Sequence, residues 1–334
     1  MKETILRGPH QAVSQILPFK YPWAWDLYLK SNNNHWVPSE IPMDRDVRQW
    51  KDPNSLTDDE RLLVKRILGF FAGTESLVAN NLLLVFMGKI RSGECKQYIC
   101  RQNFEEAIHN HSLVYMCDSL NLDVQEMYEA YADIPGVREK DDFLIRITRW
   151  MERDDFDINT FEGVRDLLLN AVAYWLIAEG TFFFNCFAAL LSFKRRNLMP
   201  ATTEMIEYTY RDEENHTLFG TMLINTIIQE HPEVWTSEVQ GQVYDLFREA
   251  LELELNFSQH AVPRGILGMN QDLLQKNAEF LANKRLASIG LEAIFENKDN
   301  PFPWLFETVS AQKMKNFFES RPTDYQQSNV EDDF

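Results

Sequence analysis

The chain has 334 residues, 45% hydrophobic and 25% charged, enough apolar material to bury a sizeable core in one domain or two. Its formal net charge of −18 argues against nucleic acid or an anionic membrane surface as the main partner. The opening Met1-Lys-Glu-Thr-Ile-Leu-Arg-Gly-Pro9 has no apolar h-region, so no signal peptide is expected, and four cysteines without C-x-x-C spacing (Cys95, Cys100, Cys117, Cys186) suit reduced core thiols of a cytoplasmic protein.

Residues 1–55 are rich in breakers and aromatics, among them Tyr21-Pro-Trp-Ala-Trp25, Asn32-Asn-Asn34 and Trp36-Val-Pro38. They predict irregular structure with one short helix near 23–30. Thr57-Asp-Asp-Glu60 is a capping box that opens a helix to about Ile90. A second helix runs from Glu94 to Leu120, after Ser92-Gly93, and shorter helices fit 123–133 and 139–152. A long apolar helix follows from Glu162 to about Arg196, stopped before Pro200, then one from Thr202 to about Glu230, stopped by Pro232. Further helices fit 236–259 and 270–287, and no convincing period-2 strand interrupts them. The expected fold class is therefore all-α.

The stretch Ala171 to Phe193 is 23 residues long and mostly apolar, which by length passes for a membrane span. Glu179 near its centre would be expensive in a bilayer. A buried bundle helix fits better, and its carboxylate then needs a cation. Residues 321–334 are polar and acidic and predict a flexible tail, which leaves 1–320 as a single helical domain.

Glu106-Ala-Ile-His109 and Glu213-Glu-Asn-His216 each place a carboxylate and an imidazole on one helix face, one turn apart. Each is preceded by an apolar helical run holding a lone Glu, Glu75 in the first and Glu179 in the second. The intervals are similar, 31 residues from 75 to 106 and 34 from 179 to 213, which suggests two helix pairs related by approximate symmetry. One Glu-x-x-His is usually a surface pair. Two of them with two Glu in apolar helices supply the ligand set of a dinuclear metal site in a four-helix bundle. Four carboxylates and two divalent cations balance in charge, and without the cations the carboxylates repel one another. Oxygen and imidazole ligands suit iron and manganese. Glu105, Glu214 and His111 fall about 100–200° round their helices, as supporting or surface residues.

Phe71-Ala-Gly-Thr-Glu-Ser-Leu-Val-Ala-Asn-Asn81, Phe104-Glu-Glu-Ala-Ile-His109, Ala178-Glu-Gly180 and Tyr210-Arg-Asp-Glu-Glu-Asn-His216 resemble the small, radical-generating subunit of class I ribonucleotide reductase. The resemblance extends over nearly the whole chain, through Trp36-Val-Pro-Ser-Glu-Ile-Pro42, Pro263-Arg-Gly-Ile-Leu-Gly268, Asn300-Pro-Phe-Pro-Trp304 and Asn316-Phe-Phe318. It implies a ferritin-like homodimer and a separate large (alpha) subunit that holds the nucleotide and its cysteines. It implies that Glu75, Glu106 and His109 hold one metal and Glu179, Glu213 and His216 the other, with two of the glutamates bridging. Asp212 matches an aspartate that links His109 to Trp36 on the electron route, and Tyr325 matches a tail tyrosine that relays between subunits.

Two departures from the tyrosine-radical pattern stand out. The position four after His109, where those members carry tyrosine, is Leu113, and the first ligand is Glu75 where they usually carry Asp. Tyr115, about 240° round the helix from His109, is not placed to substitute. Both departures match the tyrosine-less subclass often called class Ic, in which a Mn/Fe centre itself stores the oxidising equivalent; Fe/Fe or Mn/Mn loading stays open. Trp36 and Tyr208 are then candidates for electron transfer. The rival readings are a related R2-like ligand-binding oxidase, which would need no acidic tail with Tyr325, and a ferritin-like iron-storage protein, which would need no Trp36–Asp212–His109 relay.

Overall fold

The computed structural model describes residues 3–8, 16–123, 125 and 135–305. The chain divides into two compact units, Met1–Pro301 and Phe302–Phe334, and of the second only residues 302–305 are described. Tyr325 and the tail expected over 321–334 lie outside the described residues, as does nearly all of the helix expected over 123–133.

The first unit is built of helices. They are α1 (Pro22–Asn33), α2 (Asp44–Lys51), α3 (Asp58–Asn81), α4 (Gly93–Leu120), α5 (Pro135–Thr148), α6 (Phe161–Ala171), α7 (Phe184–Leu191), α8 (Pro200–Glu230), α9 (Ser237–Ala261) and α10 (Gln271–Ser288). Among the described residues there is no strand, and the one β contact is an isolated bridge between Ile266 and Met269. Local chemistry sets the helix starts. Thr57 and Glu60 form the reciprocal capping box of α3, with the Glu60 N–H donating to Thr57 Oγ1 at 3.2 Å and the Thr57 N–H to Glu60 Oε2 at 2.8 Å. Ser92 caps α4 and Thr160 caps α6 through the same hydroxyl contact.

Two elements depart from the sequence expectation. The region before residue 55 contains a second helix, α2, whose buried Asp46 accepts from the Ala201 and Thr202 N–H groups at 2.9 and 2.7 Å. This carboxylate caps α8 from another part of the chain, because the α8 start offers Pro200 and no capping side chain. The long apolar helix is also not uniform. Between α6 and α7, residues Val172–Phe183 form a π-helix that carries Glu179, and Thr181 Oγ1 donates to the Leu176 carbonyl five residues back at 2.8 Å. A second π turn, Leu82–Phe86, extends α3. Such wide turns re-aim side chains and cluster at functional sites.

Two segments, Asp58–Lys89 and Phe161–Arg196, are long and apolar enough to cross a membrane by length and composition. The most apolar window of the second is entirely buried within the fold, as expected for a core helix. The core pairs α3 with α4 and the π segment with α8. Gly220 makes the second pairing possible, since a Cβ there would lie 2.1 Å from Trp175 Cβ. Beside these helices, fully buried Lys140 lies 2.5 Å from Glu254 Oε2 and 4.0–4.4 Å from the ring centroids of Phe70, Phe182 and Phe257. Cys95, Cys117 and Cys186 are buried as expected, whereas Cys100 is exposed on α4.

Candidate metal centre

The four core helices bring the six expected residues together. Glu75 comes from α3, Glu106 and His109 from α4, Glu179 from the π segment, and Glu213 and His216 from α8, and all are buried. Glu75, Glu106, His109 and Glu213 each present an atom within 4.8 Å of the others, as do Glu106, Glu179 and His216. Glu106 and Glu213 sit between the two histidines. Glu106 offers Oε2 to His109 Nδ1 at 3.2 Å and Oε1 to His216 Nδ1 at 3.2 Å. Glu213 offers Oε1 to His109 Nδ1 at 3.3 Å and Oε2 to His216 Nδ1 at 3.1 Å. Each carboxylate therefore turns one oxygen to each half of the cluster.

The outer faces of the histidines are held by carboxylates. His109 Nε2 lies 3.5 Å from Asp212 Oδ2, and the same oxygen accepts the Trp36 indole N–H at 2.8 Å. His216 Nε2 lies 3.0 Å from Glu105 Oε2, and Glu105 Oε1 accepts from Arg101 at 3.1 Å. With Nε2 facing an acceptor, each ring can donate there and turns Nδ1 inward. The sequence reading left Glu105 as a supporting or surface residue. It is the buried counterpart of Asp212, and the signal for it was Arg101, one turn earlier on the same helix. Glu214 is half-buried and His111 exposed.

Gln102 and Trp175 were not anticipated. Gln102 donates from Nε2 to Glu179 Oε1 at 2.9 Å and to Glu106 Oε1 at 3.3 Å, and accepts the Trp175 indole N–H at 3.1 Å. Trp36 stacks at 5.3 Å, tilted by 34°, on Tyr208, which is half-buried. Leu113 is buried. Tyr115 donates its hydroxyl to the Ile41 carbonyl at 2.9 Å, a partner outside the cluster.

The cluster is electrostatically strained as it stands. Burial, reinforced by neighbouring carboxylates, holds Glu75 and Glu179 well above the usual carboxylate range despite the opposing pull of the histidines. Burial also acts to raise Glu213, but His216 and His109 overcome it and bring it down to about 2. For the histidines burial alone would depress the pKa; instead the surrounding carboxylates, Glu75 first for His109 and Glu213 first for His216, raise both well above the ordinary value. Glu75 Oε2, Glu179 Oε2 and Glu213 Oε1 are buried without a hydrogen-bond partner. Orphaned carboxyl oxygens converging on two inward-facing imidazole nitrogens are what a pair of hard cations would satisfy.

A family described as ribonucleotide reductase, small chain, matches residues 13–301. The ribonucleoside-diphosphate reductase subunit beta of Chlamydia pneumoniae is 43% identical over 314 residues, covering 94% of this chain and 90% of that protein. A ribonucleotide reductase R2 subunit from Clostridium botulinum aligns with a TM-score of 0.82 at 25% identity, over 92% of this chain and 94% of that one. Dimanganese(II)-NrdF from Streptococcus sanguinis, at a TM-score of 0.75 and 17% identity over 90% of this chain and 100% of that one, shares the fold.

Proposed function

The chain belongs to the ribonucleotide reductase small-chain family, and on that footing we propose that it oxidises a cysteine of a separate large subunit to start the reduction of ribonucleotides to deoxyribonucleotides. The observation that carries this reading is the buried set of four carboxylates and two imidazoles with three orphaned oxygens. Glu75, Glu106 and His109 would hold one cation and Glu179, Glu213 and His216 the other, with Glu106 and Glu213 shared. When bound, the two ions supply a stored one-electron oxidant. Asp212 and Glu105 orient the two imidazoles. Asp212 also connects His109 to Trp36, and the stack on Tyr208 extends that route toward the surface, so Trp36 and Tyr208 pass electrons inward while the bulk of α4 and α8 excludes water.

The finer assignment is the tyrosine-less subclass with a Mn/Fe centre. It rests on Leu113, whose side chain has no redox chemistry, and on Glu75 as first ligand. We place the protein in the cytoplasm, in keeping with its unpaired cysteines. Residues 1–320 form the catalytic domain and 321–334 the tail that engages the large subunit, with Tyr325 relaying across the boundary. The homodimer is assigned to the outer face of α4, where Cys100, Phe104, Ala107, His111 and Val114 are exposed at intervals of four and three residues, the seam spacing of paired helices.

The test is nucleotide reduction by the metal-loaded chain with its cognate large subunit. Deleting 330–334 should weaken association without disturbing the metals, and Tyr325→Phe should associate normally and not turn over. Full turnover by Tyr325→Phe refutes the relay, and oxidase activity that ignores the large subunit refutes the reductase reading.

A further inference from the structure

The two halves of the cluster are not equivalent, and the difference lies in Gln102. This side chain is fully buried on α4, one turn before Glu106. Its NH₂ group faces two carboxylates, Glu179 Oε1 at 2.9 Å and Glu106 Oε1 at 3.3 Å. A carboxamide can turn over and exchange its oxygen with its nitrogen. Turned over, Gln102 would point an oxygen at two anionic oxygens and an NH₂ at an indole N–H, a donor-only group. Trp175 therefore sets the orientation, donating to Gln102 Oε1 at 3.1 Å. The indole itself has no freedom. It is fully buried, lies 4.4 Å from the Phe86 ring and 5.6 Å from the Phe219 ring, and fills the space that a side chain at Gly220 would occupy. With Glu179 Oε1 engaged by the amide, Oε2 is left buried and unpartnered. Gln102 donates to Glu179 and Glu106 and not to Glu75, the matching residue of the other half, whose Oε2 lies 3.6 Å from His109 Nδ1.

We infer that Gln102, clamped by Trp175, is a positioning residue that confines Glu179 to one cation-binding oxygen, Oε2, and so makes the two halves of the centre unequal in cation affinity. The inference rests on the dinuclear reading above and adds to it the group that distinguishes the two halves. The donor is neutral, so it steadies the carboxylate without competing with a cation for charge. Groups that orient metal ligands in this way contribute about 10–100-fold in metal affinity.

The experiment uses the full chain with Mn(II) alone as probe, read by equilibrium competition and by the EPR line shape of the bound ion before any oxidation. The unmodified chain should take up two ions of unequal affinity. Gln102→Met should weaken one of them by about 10–100-fold and change its line shape, leaving the other ion as it was. Trp175→Phe, which keeps a ring in the pocket, should weaken the same ion by a smaller factor. The double variant should be no worse than Gln102→Met alone, because the indole acts only through the amide. Unchanged binding in Gln102→Met, equal weakening of both ions, or additive losses in the double variant would overturn the inference. If Gln102→Met does not fold, Trp175→Phe decides: selective weakening supports the inference and unchanged binding overturns it. Failure of the unmodified chain to bind two ions would refute the dinuclear reading itself, which separates the two failures.

Discussion

Metal uptake by this centre should expel protons, a direction that follows from the electrostatics of the cluster. His109 and His216 are raised well above the ordinary imidazole value, and Glu75 and Glu179 well above the carboxylate range. The metal-free cluster is therefore biased toward holding protons on these groups, and two cations must displace those that are bound. Each displaced proton makes the overall binding constant rise roughly tenfold per pH unit. The sign for stability runs the opposite way in the metal-free chain. A raised histidine gives stability that is complete below the unfolded pKa and disappears as pH rises through the folded one. A raised carboxylate leaves the unfolded state the stronger acid, so it too costs stability as pH rises. The metal-free chain should thus melt at a lower temperature at pH 8 than at pH 6, while stabilisation by added Mn(II) should grow over the same interval. Calorimetric titration in buffers of different ionisation enthalpy counts the protons directly. Net release of protons on binding is expected, with affinity rising between pH 6 and 8. No net release, with affinity flat over that interval, would refute the argument that these residues hold protons in place of metals.

Two further predictions concern the scaffold. Glu254→Gln leaves the Lys140 ammonium buried among Phe70, Phe182 and Phe257 without its carboxylate, and should cost about 3–5 kcal/mol in denaturant unfolding; a loss under 1 kcal/mol would show that the pair is not carrying a buried charge. Phe104→Glu introduces charge into the exposed α4 stripe and should shift the chain from dimer to monomer in sedimentation velocity with its helical content intact. A dimer of unchanged affinity would move the interface elsewhere.

The clustering of the six expected residues was legible because their spacing is a helical repeat, and packing the apolar faces of α3, α4, the π segment and α8 together leaves these polar positions no other place to go. The capping box at Thr57 was legible for the same local reason. What the sequence hid depends on contacts between distant segments. Asp46 caps α8 across more than 150 residues, and nothing near it announces a helix end. The π turn over Val172–Phe183 carries the same apolar residues that an α-helix would. Glu105 reads from sequence as either a supporting or a surface residue, and only the approach of His216 on α8 decides for the first. Gln102 and Trp175 are ordinary core residues until the π segment brings the indole over α4. Cys100, read as a core thiol, lies on a face of α4 that is exposed among the described residues.

The central claim is an oxidant stored on a dinuclear centre without a tyrosyl radical, and metal analysis combined with EPR tests it most directly. The chain is loaded with known amounts of Mn(II) and Fe(II), exposed to oxidant, and assayed with the large subunit beside the spectrum. Two ions per chain are expected, with turnover in samples that show no tyrosyl signal, since we assign Leu113 to the radical carrier's position and Tyr115 is tied to the Ile41 carbonyl. Fewer than two ions per chain, or a stable tyrosyl signal that scales with turnover, would contradict the account.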